Sequence, residues 1–226
     1  MNFWQRQQLM FSGDEGTKLY EMVALIAGVG GLGTHIALEL QRVGVKKLYL
    51  VDYDRITEGN LNRQVLYGVD DIGASKVQRA RKMLEGFSLG TEIVAVDQVL
   101  TINTELPDDI DIIFDGLDNI QARFILEELA CQKGYPLIHG AINSWYGQIT
   151  TILPGNSLGF KAIYGKYQNE EKYREEIPAF SPVVSLVSSI EVIEEVKVFL
   201  DRGGLLVNRL LLVDADDYSL NILKLD

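Results

Sequence analysis

Gly28-Val29-Gly30-Gly31-Leu32-Gly33 is the first stretch of this chain whose residue types and spacing could do chemistry. Glycines set between an apolar run and a helical pattern let backbone N–H groups approach a phosphate at a helix N-terminus. Asp52 follows Gly33 by 19 residues, at the end of a second apolar run, where a carboxylate can accept hydrogen bonds from a ribose. Loop and acid together mark a nucleotide site, against the plainer alternative of a tight structural turn. The glycines alone leave NAD, FAD and ATP open, since each offers a ribose and a phosphate. The next segment separates them. Asn60-Leu61-Asn62-Arg63-Gln64, and Lys76 at the start of a further helix, supply two cations able to converge on the phosphates that the glycines face. Hydride transfer has little use for such cations, whereas attack on a phosphate needs them over the oxygens where charge accumulates. Arg63 or Lys76 taken singly is ordinarily a solvated surface cation, so the inference rests on the combination.

These residues need a scaffold, and the patterning supplies one. Residues 22–27 (MVALIA) and 48–51 (LYLV) read as buried parallel strands, joined by a helix with Ile36, Ala37, Leu40 and Val43 inward and Gly44 at its end. A second helix over 74–84 carries Val77, Ala80 and Leu84 on one stripe. Strands follow at 92–96 and 110–114, then a helix at 120–133 and a strand at 136–138. The alternation predicts an α/β fold, a Rossmann-like, mainly parallel sheet with helices on both faces. Beyond His139 the rhythm changes: a strand at 148–153, a long mobile crossing loop at about 156–178, and a helix from Pro182 to about residue 200 with Val183, Leu186, Val187 and Ile190 inward. An antiparallel hairpin, 210–213 with 220–225, closes the chain. Residues 1–226 are expected to form one domain: an N-terminal arm (1–20), a nucleotide-binding half (21–140) and an antiparallel extension (141–226).

Composition narrows the function classes. Of 226 residues 47% are apolar and 23% charged, ordinary for a globular chain. With 21 basic against 32 acidic side chains the net charge is −11, so no basic field exists to gather nucleic acid. No segment reaches the ~18 uninterrupted apolar residues of a membrane span. Residues 1–13 carry Arg6 and several glutamines in place of a secretory signal, and Cys131 is the single cysteine, so a reducing, cytoplasmic setting is expected.

The motifs, taken in order, resemble the ubiquitin-activating-enzyme-like adenylyltransferases, the ThiF/MoeB/HesA group. The resemblance runs through Arg6-Gln7, the glycine loop, Val51-Asp52-Tyr53-Asp54, Asn60-Leu61-Asn62-Arg63-Gln64, Gly73-Ala74-Ser75-Lys76, Asp115-Gly116-Leu117-Asp118-Asn119, Gly147-Gln148 and Ser181-Pro182-Val183-Val184. It implies an ATP- and Mg2+-dependent enzyme, a homodimer or heterodimer, that activates a C-terminal carboxylate as an acyl-adenylate. It further implies that Gly28, Gly30, Gly31 and Gly33 face the phosphates, that Asp52 holds the ribose, and that Asn60, Arg63 and Lys76 hold the phosphates. Asp118 would carry magnesium with Asn119 beside it, and Arg6 would reach across the dimer to the partner's ATP. The implied substrate is a small ubiquitin-like sulfur carrier ending in Gly-Gly, of the thiamine or molybdopterin kind. Adenylation of a peptide C-terminus or a tRNA-borne carboxylate, and a non-catalytic partner subunit, remain alternatives, with a dinucleotide oxidoreductase behind them.

Two departures stand out. Many relatives carry two C-x-x-C pairs that fix zinc, the first just past the strand ending at Pro154-Gly155; here that place reads Ser157-Leu158-Gly159-Phe160-Lys161, so no zinc is expected. Relatives that pass the carrier to a protein thiol place a cysteine in the crossing loop, and Tyr173-Arg174-Glu175-Glu176-Ile177-Pro178 offers none, so a separate sulfur donor is expected. Cys131 reads as an inert, buried helical residue. His139, Trp145 and Tyr146 read as core packing, Asp118 alone could be a helix cap, and Arg6 alone could pair with any surface carboxylate.

Overall fold

Residues 3–167 and 177–226 are described by the computed structural model. Two short helices, α1 (Gln5–Gln8) and α2 (Glu15–Leu19), precede the first strand. The sheet-forming chain then runs β1 (Val23–Ala27), α3 (Gly31–Val43), β2 (Lys47–Val51), α4 (Lys76–Gly86), β3 (Glu92–Val96), β4 (Ile112–Asp115), α5 (Ile120–Lys133) and β5 (Leu137–Asn143). The antiparallel extension comprises β6 (Tyr146–Ile152), α6 (Phe160–Tyr164), α7 (Ser181–Phe199), β7 (Arg209–Asp214) and β8 (Ser219–Lys224).

One sheet of order β3-β2-β1-β4-β5-β6-β7-β8 spans the chain. β1 to β5 are parallel, and β6, β7 and β8 add in antiparallel fashion. This is the architecture expected from the alternation of elements. The alternate residues of β1 divide the core: Ala24 and Ile26 pack under α3, α4 and α7, while Leu25 and Ala27 pack under α5 and α6. A strand buried on both faces must be apolar throughout, which is why 22–27 lacks alternation. Ile36, Ala37 and Leu40 of α3 are buried, and Gly44 ends the helix in the left-handed region at φ +98°. Strand order reverses between β1 and β4, the switch point at which open α/β sheets leave a crevice beyond their carboxyl ends.

Several expectations are corrected. β5 does not stop at Ile138 but runs to Asn143 and turns directly into β6. His139 sits inside this strand because its ring finds a buried partner. Trp145 and Tyr146 are not core: they lie at the β5–β6 turn, 44% and 52% exposed, with Trp145 stacked on Phe180 at 4.8 Å. The inward face of α7 differs too. Leu186 is 42% exposed, while Val184, Ser188, Glu191, Glu194 and Glu195 are buried. Glu194 is drawn inward by polar partners that a count of apolar residues does not register, since its carboxylate accepts from the Thr151 hydroxyl and the Leu206 N–H. Part of the predicted crossing loop is the helix α6; residues 168–176 of that loop lie outside the described residues. Cys131 is helical as expected, but exposed on α5.

Candidate nucleotide site

The loop after β1, the carboxyl end of β2 and the loop after β4 meet at the switch point. Gly28 has φ +90°, and a Cβ there would lie 2.5 Å from the Gly116 carbonyl oxygen; the Gly116 N–H donates to Ala27 O at 2.8 Å. A Cβ on Gly33 would lie 1.9 Å from the carbonyl oxygen of Gly28. At these two positions a side chain would collide with backbone, so the loop requires glycine. Gly30 occupies the N-cap of α3 with no side chain capping it. The first-turn N–H groups at Gly31 and beyond therefore keep their capacity for an anion.

Asp52 organises this loop. One carboxylate oxygen accepts from Val29 N at 2.7 Å and the other from Asp54 N at 2.8 Å. A carboxylate oxygen has two lone-pair directions, so each retains capacity for a ribose hydroxyl. Tyr67, buried, donates its hydroxyl to Val29 O at 2.8 Å and holds the loop from below.

The cationic segment folds back over the same loop. Asn60 ends a 3-10 turn, Glu58–Asn60, its side-chain oxygen accepting from Thr57 N at 3.0 Å. Three residues on, the Arg63 stem passes Gly31, whose Cβ would lie 3.7 Å from Arg63 Cγ and Cδ, and its guanidinium donates to Gly59 O and Asn62 Oδ1 at 2.8 and 2.9 Å. Gln64 is buried beside Gly30, and its Oε1 has no hydrogen-bond partner among the described residues. Lys76, at the start of α4, is 6% exposed and its ammonium lies 2.7 Å from Asp54 Oδ2. An ammonium carries three donors, so this ion pair leaves two free.

On the other side of the crevice, Asp118 and Asn119 divide two tasks that the sequence left ambiguous. Asn119 is the N-cap of α5, its Oδ1 accepting from Ala122 N at 2.8 Å. Asp118 is exposed, and its contact with Asn119 Nδ2 is 3.5 Å. The carboxylate is thus spared the capping role. Arg6 is not part of this assembly. It lies exposed on α1, which is tied to the far end of α3 by Trp4 Nε1 to Arg42 O and Gln7 Nε2 to Val43 O, both 2.8 Å. A 13-residue helix separates that end from the glycine loop, about 20 Å at 1.5 Å per residue.

A buried polar network beneath Asp118 escaped the sequence reading. Asp115 and His139 are fully buried and 2.7 Å apart, with Arg123, Gln148 and Tyr164 bonded around them. Burial pulls the His139 pKa down against the pull of Asp115, so its ring is neutral. Burial likewise pushes the Tyr164 hydroxyl up to about 12. Asp115 and Gln148 stood in quoted motifs, but nothing in their spacing tells that Tyr164 would return to them.

Among the described residues there is no group of three or more His, Cys, Asp or Glu able to hold a metal. A Mg2+ arriving with a nucleotide needs only one or two carboxylates, the phosphates supplying further ligands, and the exposed Asp118, bonded at one oxygen by a long 3.5 Å contact, fits that donor set. No helix among the described residues is long and apolar enough to cross a membrane.

Known proteins share the family and the fold of this chain. A family model described as "ThiF family" matches residues 5–226. The SAMP-activating enzyme E1 of Haloferax volcanii is 30% identical over 212 residues, covering 92% of this chain and 78% of that protein. The adenylyltransferase and sulfurtransferase MOCS3 of Aedes aegypti is 28% identical over 212 residues, covering 92% of this chain; the chain spans 48% of its length. Among solved structures, E. coli MccB with ATP superposes with TM-score 0.86 at 19% identity, over 100% of this chain and 72% of that one, a likeness of fold.

Proposed function

The chain belongs to the ThiF family, and from that premise we propose that it is an ATP-dependent adenylyltransferase acting on the C-terminal carboxylate of a small ubiquitin-like sulfur carrier ending in Gly-Gly. The observation that carries this reading is the division of labour at the α5 N-terminus. Asn119 caps the helix, so the exposed Asp118 carboxylate, in contact with Asn119 Nδ2 at 3.5 Å, is not spent on the helix end, and the loop that carries it packs at Gly116 against Gly28 of the glycine loop. With the cap supplied by Asn119, the Asp118 carboxylate keeps the capacity to take a metal.

In this reading residues 1–226 act as one adenylation domain. The backbone N–H groups at Gly30, Gly31 and Gly33 face the phosphates, whereas the Gly28 N–H, expected to join them, donates to Val51 O at 2.7 Å and only shapes the turn; Asp52 receives the ribose hydroxyls. Asn60 and the guanidinium of Arg63 hold phosphoryl oxygens, and Lys76 contributes the donors that Asp54 leaves unused. Asp118 would hold Mg2+, which supplies neutralisation of phosphate charge; Asn119 offers its remaining amide N–H groups beside it. The carrier carboxylate attacks the α-phosphorus in line and pyrophosphate departs. No general base is required, because a terminal carboxyl with a reference pKa of about 3.5 is already ionised at neutral pH. The protein contributes orientation and fixed positive charge, which lower the barrier as charge spreads over the phosphoryl oxygens.

Arg6 lies too far from the site of its own chain to join it, which supports a dimer in which it serves the partner's ATP. No cysteine occurs in 168–178, and partial desolvation of the otherwise exposed Cys131 thiol, together with the Glu127 and Glu128 carboxylates, raises its pKa away from reactivity. The reaction therefore ends at the acyl-adenylate, which a separate sulfur donor consumes. Incubation with ATP, Mg2+ and a carrier ending in Gly-Gly, followed by mass spectrometry, tests this: a carrier heavier by one AMP is the expected product. An adduct on a short peptide or on RNA would overturn the assignment of the carrier, and bound NAD with no adduct would overturn the reaction class.

A further inference from the structure

Five residues form a closed hydrogen-bond network under the loop that carries Asp118, and the chemistry above uses none of them. Asp115 Oδ1 accepts from Leu117 N at 2.9 Å, while its Oδ2 lies 2.7 Å from His139 Nδ1 and 3.2 Å from Arg123 Nε. Arg123 donates to Leu117 O at 2.7 Å and, through its other terminal nitrogen, to the Tyr164 hydroxyl at 3.1 Å. That hydroxyl also accepts from Gln148 Nε2 at 2.5 Å and lies 3.0 Å from His139 Nε2. The partners fix the imidazole tautomer. With its Nδ1–H toward Asp115, His139 leaves Nε2 to accept, from the Tyr164 O–H at 3.0 Å or from Gln148 Nε2 at 3.1 Å. Asp115 and Arg123 form the ion pair of the five.

Both backbone groups of Leu117, the residue before Asp118, are thus clamped: its N–H by Asp115 and its carbonyl by Arg123. The guanidinium is itself oriented by Tyr164 at the end of α6, some forty residues along the chain. We propose that Tyr164, acting through Arg123, is a positioning residue for Asp118: its hydroxyl sets the guanidinium that holds Leu117 and so the direction in which the Asp118 carboxylate meets the metal and phosphates. This rests on the metal-holding reading of Asp118.

Tyr164→Phe retains the ring packed on His139 and Phe160, at centroid distances of 5.6 and 5.9 Å, and removes only the hydroxyl. Arg123→Lys keeps the charge but not the two-sided grip on Leu117 O and Tyr164. Calorimetric titration of ATP into each protein, with and without Mg2+, reads the effect independently of turnover. Wild type is expected to bind ATP more tightly when Mg2+ is present. Both variants should lose about tenfold of that gain, while their affinity for metal-free ATP stays within about twofold. A merely structural role would lower the unfolding temperature and leave the ratio with and without Mg2+ at the wild-type value; that result overturns the proposal. Should Tyr164→Phe fail to fold, Arg123→Lys decides alone. Asp118→Ala is the control: if it loses the gain and the two variants keep it, only the positioning role falls. If Asp118→Ala keeps the gain, the metal role of Asp118 falls and the positioning role with it.

Discussion

Exchanging the neighbours Asp118 and Asn119 for alanine one at a time should separate stability from catalysis. Asn119 Oδ1 accepts from Ala122 N at 2.8 Å and is the side-chain cap of α5, while the Asp118 carboxylate contacts Asn119 Nδ2 at 3.5 Å. Loss of an Asn N-cap costs about 1 kcal/mol. For a chain of 226 residues that lowers Tm by about 2–4 °C. Asn119→Ala also removes the amide N–H groups that could reach a nucleotide, a loss of about 1 kcal/mol or roughly fivefold in activity. Asp118→Ala removes an exposed carboxylate with one long hydrogen bond and should change stability by less than about 0.5 kcal/mol, yet pyrophosphate exchange should fall by about 100-fold or more. Thermal unfolding and carrier-dependent ATP–pyrophosphate exchange on the same preparations measure both. A stability loss confined to Asp118→Ala with exchange intact would refute the assignment of cap and acid, and with it the reading of this end of the crevice.

Three further outcomes follow from the geometry. Gly33→Ala places a Cβ 1.9 Å from the Gly28 carbonyl oxygen, so ATP affinity measured by calorimetry should fall by more than tenfold, and normal affinity would mean the loop can relax. Glu191 and Glu195 are fully buried with no hydrogen-bond partner among the described residues, and burial raises both well above the usual carboxylate range. The folded chain therefore retains protons that the unfolded chain releases above about pH 4.3. Stability must decline as pH rises through and beyond that value, by up to about 1.4 kcal/mol per pH unit for each group, until the folded pKa is passed. Glu191→Gln should flatten the dependence of urea midpoint on pH between 5 and 8; an unchanged slope would contradict it. Mixing Arg6→Ala with Asp118→Ala protein should restore exchange that neither shows alone, and no recovery in a mixture that sedimentation shows to be dimeric would remove the role of Arg6 in the partner's site.

The architecture was legible because each parallel strand is a short apolar run buried on both faces and each helix carries a stripe, as with Val77, Ala80 and Leu84 on α4. The nucleotide loop was legible because Gly28 and Gly33 leave no room for any side chain. What the pattern hid is where polar residues find buried partners. His139 looked like the end of a strand, but Asp115 lets the strand continue through it. Leu186 looked inward, but α7 turns Glu194 toward Thr151 and Leu206 instead. Asp118 could have been read as the cap of α5 until hydrogen-bond geometry gave that task to Asn119. Long-range side-chain pairing of this kind has no local period, so a one-dimensional reading does not capture it.

The most direct test of the account is ATP–pyrophosphate exchange in wild type, Arg63→Ala and Asp118→Ala, with a Gly-Gly-ending carrier present and absent. Wild type should show exchange that requires the carrier, and both variants should lose it. Exchange persisting in both variants would show that the triphosphate does not lie between Arg63 and Asp118.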